Sequence, residues 1–371
     1  MDTLTLVLFI LGFFLLIGGA ELLVRGASSL ALAVGISPLV VGLTVVAYGT
    51  SAPELAVTIN ASFAGEADLA LGNVVGSNIS NILLVLGLSA AVASLVVNQQ
   101  LVRLEVPLMI GLAVLVFLMG LDGKIGQIDG AIFVLGAISY TVFVIRKSRK
   151  ETKAIEAQYA EAVDKKPKPK KSPLQFLLQV GFILAGLALL VAGADWLIGG
   201  ATAIAEIFGV SQLVIGLTIV AVGTSLPEIA TSVIASFKGQ RDIAVGNAIG
   251  SNIFNILLVL GVTALVAPGG IPIPRTAITF DIPVMIAVSV AALPIFFTDY
   301  RIDRWEGFLF LGYYLAYTAY LYLRATDSSA LDEFGWAMIL FVIPLTIITL
   351  IILTVKAARK NGRPQTILAD Q

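Results

Sequence analysis

Two acidic side chains, Glu54 and Glu228, close a hexapeptide that occurs twice, G-T-S-A-P-E at 49–54 and G-T-S-L-P-E at 223–228. Each falls in the middle of a long apolar run, where an acid costs about 2.5–3.5 kcal/mol even on the lenient insertion scale. A buried acid beside a proline, present at both matching positions, has no stabilising rationale of its own and needs a compensating charge. On a helix, Ala47, Thr50, Ser51 and Glu54 occupy i, i+3, i+4 and i+7 and share one stripe; Ala221, Thr224, Ser225 and Glu228 repeat it. Pro53 and Pro227 lack an N–H and press on the preceding turn, so the helices are expected to bend and leave carbonyl oxygens unpaired near Gly49 and Gly223. In lipid such backbone is tolerated where it lines a cavity or coordinates a cation. The third and eighth apolar runs add oxygen at a spacing of four, Asn73, Ser77 and Asn81, and again Asn247, Ser251 and Asn255. Gly72 with Gly76, and Gly246 with Gly250, form small-residue faces that would let these runs approach the bent ones. A dry cage of carboxylate, hydroxyl, amide and carbonyl oxygens suits a hard cation such as calcium, which takes about six to eight oxygens at about 2.3–2.6 Å.

Competing readings are structural. A lone Ser or Thr in a membrane helix is more often packing glue, and Asn73 and Asn247 can simply bond across helices. Glu21 is expected to form a salt link to Arg25 or sit at the interface, and Glu105 and Asp281, each two residues before a Pro, look like charges at helix starts. The chain has neither Cys nor His, which removes disulfides, thiolate chemistry, zinc ligation and any Ser-His nucleophile. No enzyme and no resident cofactor is expected.

The elements that must position these residues are membrane helices. Of 371 residues 58% are hydrophobic and 13% charged, where a soluble domain has about 25% charged residues. With 23 Lys and Arg against 24 Asp and Glu, the charge balance carries no nucleic-acid footprint. Eleven apolar runs can each cross a hydrocarbon core: 4–35, 38–63, 69–97, 104–121, 127–147, 174–208, 212–237, 243–267, 277–297, 305–323 and 334–355. The Lys/Pro-rich linker 148–173, with K-K-P-K-P-K-K at 165–171, reads as cytoplasmic. Alternating from there places 19 of the 23 basic residues on the same side, so the N-terminus is expected outside and the C-terminus in the cytoplasm.

The two copies correspond at a constant offset of 174 residues from the first run through the third; 72–87, for example, reads G-N-V-V-G-S-N-I-S-N-I-L-L-V-L-G and 246–261 reads G-N-A-I-G-S-N-I-F-N-I-L-L-V-L-G. Five runs, an odd number, precede the second copy, so the copies enter the membrane from opposite faces, an architecture whose ion sites lie near the midplane. The expected fold is an all-α polytopic membrane protein. Its inverted 5+5 halves are 1–147 and 174–324, followed by an accessory helix and basic tail over 325–371.

These repeats resemble the alpha repeats of the cation/calcium antiporter superfamily, in particular its sodium/calcium exchanger branch. The G-T-S-x-P-E form differs from the G-N-A-x-E form of the proton/calcium branch, which implies sodium as counter-ion. The resemblance further implies that Glu54, Glu228 and the backbone carbonyls of Thr50 and Thr224 bind calcium, and that Ala47, Ser51, Ser77, Ala221, Ser225 and Ser251 serve the sodium sites. Several relatives carry Asp at one of the positions of Asn81 and Asn255, which are counted here among the ion-site residues; with Asn at both, the site charge falls from about -3 to about -2.

The function read from the sequence is exchange of calcium for sodium by alternating access, performed by a monomer in the plasma (inner) membrane of a prokaryote, with the ions and the bilayer as partners. Proton/calcium antiport and a calcium-selective channel are the alternatives.

Overall fold

The computed structural model describes residues 3–162, 173–210, 212–297 and 300–361. The K-K-P-K-P-K-K run of the linker and the basic tail beyond Asn361 lie outside the described residues. The chain is almost wholly helical. In order, the elements are α1 (Thr3–Val34), α2 (Pro38–Thr50), α3 (Ala52–Phe63), α4 (Ala67–Val92), β1 (Leu95–Val96), α5 (Leu101–Asp122), β2 (Lys124–Ile125), α6 (Gln127–Ala162) and α7 (Pro173–Ile207). Then come α8 (212–223), α9 (Leu226–Phe237), α10 (Arg241–Val266), β3 (Ile271–Pro272), α11 (Ala277–Phe297), β4 (Arg301–Ile302), α12 (Arg304–Ala325) and α13 (330–361).

Among the described residues eight helices are long and apolar enough to span a bilayer, and nine when α2 and α3, bent by 41° at Ser51, count as one span. Two further runs of the sequence reading correspond to α8 with the short α9, and to α12, whose five tyrosines lower its hydropathy. Helix α6 continues past the expected boundary at 147, because Lys147 to Ala162 is rich in good helix formers and Lys147 pairs with Glu151 at i+4.

The repeat is visible in the elements themselves. Helix α4 recurs as α10 and α3 as α9, each 174 residues on. Local π-helical turns recur too, at Gly42–Val46 and Gly216–Val220, at Asn81–Leu86 and Asn255–Leu260, and at Leu101–Glu105 and Ala277–Asp281. Such turns insert a residue into a helix and are frequent at functional sites. Glu105 and Asp281 end these last two turns instead of starting a helix; Glu105 is fully buried and accepts a bond from Gln100 Nε2 at 2.7 Å.

Two short antiparallel ribbons show how the copies lie. Strand β1 pairs with β4, Leu95 opposite Ile302, and β2 pairs with β3, Lys124 opposite Pro272. The loop after α4 therefore shares a membrane face with the loop after α11, and the loop after α5 with the loop after α10.

The centre of the molecule is α4 and α10, 78% buried over their apolar windows, against 33% for α1 and 22% for α7. The long pair α1 and α7 lies outside and is held together by glycines at a period of seven, Gly12, Gly19 and Gly26 facing a helix that carries Gly186, Gly193 and Gly200. A methyl group at Gly19 would come within 2.8 Å of the Gly186 carbonyl, and one at Gly193 within 2.7 Å of the Leu16 amide. Backbone contact this close makes the two helices one unit.

Candidate ion-binding site

Helices α2 and α8 stop where the prolines forbid the next hydrogen bond, and α3 and α9 begin with Ser51 and Ser225 as N-caps. The new helices restart on the serine carbonyls, Leu55 N–H bonding Ser51 O at 3.1 Å and Ile229 N–H bonding Ser225 O at 3.0 Å. The spacing Ser51-x-x-Glu54 is that of a capping box, but neither reciprocal bond forms. The Ser51 amide is taken by the Ala47 carbonyl at 3.0 Å, and the Ser51 hydroxyl donates to Glu228 Oε1 of the other repeat at 3.4 Å. Glu54 and Glu228 thus stand in the first turns of two short helices whose positive ends favour negative charge, without being consumed by the caps.

Both glutamates are fully buried and face one another closely enough to interact by charge. Apart from the contact between the two carboxyl groups themselves, Glu54 Oε1, Glu54 Oε2 and Glu228 Oε2 have no hydrogen-bond partner, and among the described residues no Lys or Arg pairs with either. Asn81 and Asn255, at the first positions of the π-helical turns, are fully buried with both amide atoms unpartnered, as is the Ser225 hydroxyl. Ser77 and Ser251 are buried on α4 and α10. Unpaired buried polar atoms are rare in folded proteins, which makes these side chains candidate ligands for a bound species.

Other members hold the cage in shape. Thr50 Oγ1 donates to Asn247 Oδ1 at 3.1 Å and lies 3.5 Å from Ser251 Oγ, tying α2 of the first repeat to α10 of the second. Asn73 Nδ2 donates to the Glu54 carbonyl at 3.1 Å and to Thr58 Oγ1 at 2.8 Å; Asn247 Nδ2 does the same to the Glu228 carbonyl at 3.4 Å and Ser232 Oγ at 3.0 Å. Both asparagines therefore follow the structural reading, bonding across helices and fixing the backbone of the glutamates. Thr58 and Ser232 were not singled out in the sequence, although each stands four residues after its glutamate and so on the same face. Thr224 is half-buried with its backbone amide on the Val220 carbonyl, and Ala221 starts the last turn of α8.

Close approach of α10 to α2 rests on Gly246 and Gly250. A methyl at Gly250 would come within 2.8 Å of Leu43 Cα, and one at Gly246 within 2.8 Å of the Leu39 carbonyl. For Gly72 and Gly76, expected to do the same on α4, no described neighbour lies within 4 Å. Glu21 bonds Lys238 at 2.7 Å instead of closing a salt link with Arg25, whose guanidinium stacks over Phe182 at 5.5 Å. Among the described residues no group of three or more acidic side chains comes together, so the charge of the cage is that of the Glu54 and Glu228 pair.

A family model described as sodium/calcium exchanger protein matches residues 4–146 and 178–323. The putative antiporter CaxA of Alkalimonas amylolytica is 41% identical over 76% of this chain and 86% of its own length. The sodium/calcium exchanger MaX1 of Methanosarcina acetivorans is 33% identical over 87% of this chain and 99% of its own. The fold matches the solved sodium-calcium exchanger NCX_Mj with a TM-score of 0.72 at 30% identity, covering 89% of this chain and all of that one. A polytopic helical bundle with this repeat and this fold is an integral membrane cation/calcium antiporter, and the chain belongs to the sodium/calcium exchanger family.

Proposed function

We propose that the protein exchanges sodium for calcium by alternating access, the ions occupying the cage around Glu54 and Glu228. The observation that carries this reading is the pair of fully buried carboxyl groups lying against each other, three of their oxygens having no other partner and, among the described residues, no Lys or Arg pairing with either. Calcium neutralises both charges from one position between them, with the Thr50 and Thr224 carbonyls completing its shell. Two sodium ions neutralise the same charge from sites formed with Ala47, Ser51, Ser77, Ala221, Ser225 and Ser251, and Asn81 and Asn255 offer amide oxygens to either. An empty cage would carry bare carboxylates across a low-dielectric barrier, so the two access states interconvert when loaded, and exchange is obligatory.

The G-T-S-x-P-E form of both repeats, and relatives named sodium/calcium exchangers, favour sodium over protons. The crossed pairing of β1 with β4 and β2 with β3 supports the inverted 5+5 relation that gives each membrane face its own route to one site. The linker face is the cytoplasmic one.

The test is calcium uptake into proteoliposomes loaded with sodium. Uptake that follows the outward sodium gradient and stops when the gradient is collapsed is the expected result. Uptake driven by a pH gradient and indifferent to sodium, or flux that persists with no counter-ion, overturns the assignment.

A further inference from the structure

The ion pair between Glu21 and Lys238 lies where the outer helix pair meets the core. Glu21 is on α1, and Lys238 is the C-cap of α9, the helix whose first turn carries Glu228. Their 2.7 Å contact therefore links the α1 and α7 unit directly to an element of the ion site. The rest of the buried side of α1 is largely aliphatic: its fully buried residues are all Gly, Ala, Leu or Val, with one buried hydroxyl, that of Ser28, left unpartnered. Aliphatic surfaces of this kind fix contact but only weakly fix register, and helices packed this way move by small sliding. A polar pair at the boundary selects one register.

The pair exists in one repeat only. At the offset of 174 residues Glu21 corresponds to Asp195, but Lys238 corresponds to Ala64, which has nothing to donate. Two inverted copies of one sequence would make the two access states near mirror images with near equal free energy, and this contact breaks that equivalence. Arg25, one turn further along α1, stacks over Phe182 of α7; it adds a weaker attraction to the Glu21 carboxylate, whose direct bond is to Lys238.

We infer that Glu21 and Lys238 are positioning residues that hold α1 against α9 in one register and thereby set how access to the ion site is divided between the two membrane faces. The inference rests on the alternating-access reading. Lys238 is 37% and Glu21 56% exposed, and ion pairs of this kind change equilibria by up to about fivefold. The contact biases the access equilibrium without locking it, as turnover requires.

Since the chain has no cysteine, cysteines placed at Leu32 on α1 and Val96 on β1, both exposed, can carry spin labels in the otherwise intact protein. Pulsed electron resonance in ion-free liposomes then reads the α1-to-core distance directly. Glu21→Gln and Lys238→Gln should each shift the population ratio by up to about fivefold away from the register seen here, and the double Gln variant should shift it no further. Exchanging the charges, Glu21→Lys with Lys238→Glu, should restore it. In oriented vesicles the half-saturating calcium concentrations at the two faces should move in opposite directions. Unchanged populations in both single variants, additive effects in the double variant, or a shift of equal sign at both faces would overturn the inference. Distances that respond to the Gln substitutions while the unsubstituted protein shows no sodium-driven calcium flux would sink the exchange reading and leave the register role standing; normal exchange with distances that do not respond would do the reverse.

Discussion

Replacing Glu54 with Gln should make the ion-free protein more stable while removing its function. The wild-type cage holds two facing carboxyl groups, both fully buried, with three oxygens having no other partner. Two unit charges about 4 Å apart repel by about 4 kcal/mol at an effective dielectric of about 20, which is the upper limit reached at alkaline pH, since a proton shared by two such carboxyl groups relieves the repulsion below it. Glutamine keeps the shape, removes one charge and supplies an N–H that can donate to the remaining carboxylate. The apparent melting temperature in detergent without calcium or sodium should therefore rise, by the equivalent of about 1–4 kcal/mol.

With calcium the order reverses. A ligand at 100 times its dissociation constant stabilises the wild type by about 2.7 kcal/mol. In the variant a divalent ion meets a single carboxylate and the loss, like that on breaking a buried ion pair, is about 3–5 kcal/mol, or more than a hundredfold in affinity. The assay is a thermal shift against calcium concentration, paired with calcium uptake in proteoliposomes. The reasoning is refuted if Glu54→Gln melts below the wild type in the absence of ions and keeps a calcium-dependent shift, because the carboxyl group would then be a structural member and not a ligand.

Thr50→Val removes the donor to the buried Asn247 Oδ1 and should destabilise the protein by about 1–3 kcal/mol while loosening α2 against α10, read as a lower melting temperature and a weaker calcium shift. Gly250→Ala forces a methyl group to within 2.8 Å of Leu43 Cα and should cost about 1–3 kcal/mol, whereas Gly111→Ala, with no described neighbour within 4 Å, should be neutral or stabilising by up to about 1 kcal/mol. Asn255→Asp adds a third carboxyl group to the cage: the ion-free protein should melt lower and half-maximal calcium stabilisation should come at lower concentration, both visible in one thermal titration.

What the sequence made legible follows from the physics of each feature. The spans could be read because lipid demands long apolar runs, and the break at Ser51 because Pro53 has no N–H to give. The glutamates stood out because a buried acid is costly whatever surrounds it. The bonds that shape the cage could not be read, since they depend on which helices touch. That the Ser51 hydroxyl would leave its own capping box for Glu228, 177 residues away, is decided by tertiary contact and not by local spacing. Nor do local rules distinguish Glu21 bonding to Arg25, four residues on, from Glu21 bonding to Lys238 on another helix. The glycine seam of α1 and α7 was present in the sequence as a seven-residue period in both copies, but glycine is common in membrane helices, and only the partner backbone within 3 Å gives that period a meaning.

The duplicated sequence does not build a duplicated site. Ser51 of the first copy bonds Glu228 of the second, and Thr50 of the first bonds Asn247 of the second, so the cage is tied together across the two copies. A fold of this kind cannot move one half without deforming the ion site, unless the moving part is one that contributes no ligand. Helices α1 and α7 meet that condition: they form one glycine-sealed unit, their outer surfaces are largely exposed, and none of the cage residues belongs to them. On the exchange reading proposed above, motion of that unit across a fixed cage is a division of labour that changes access without dismantling the site it opens.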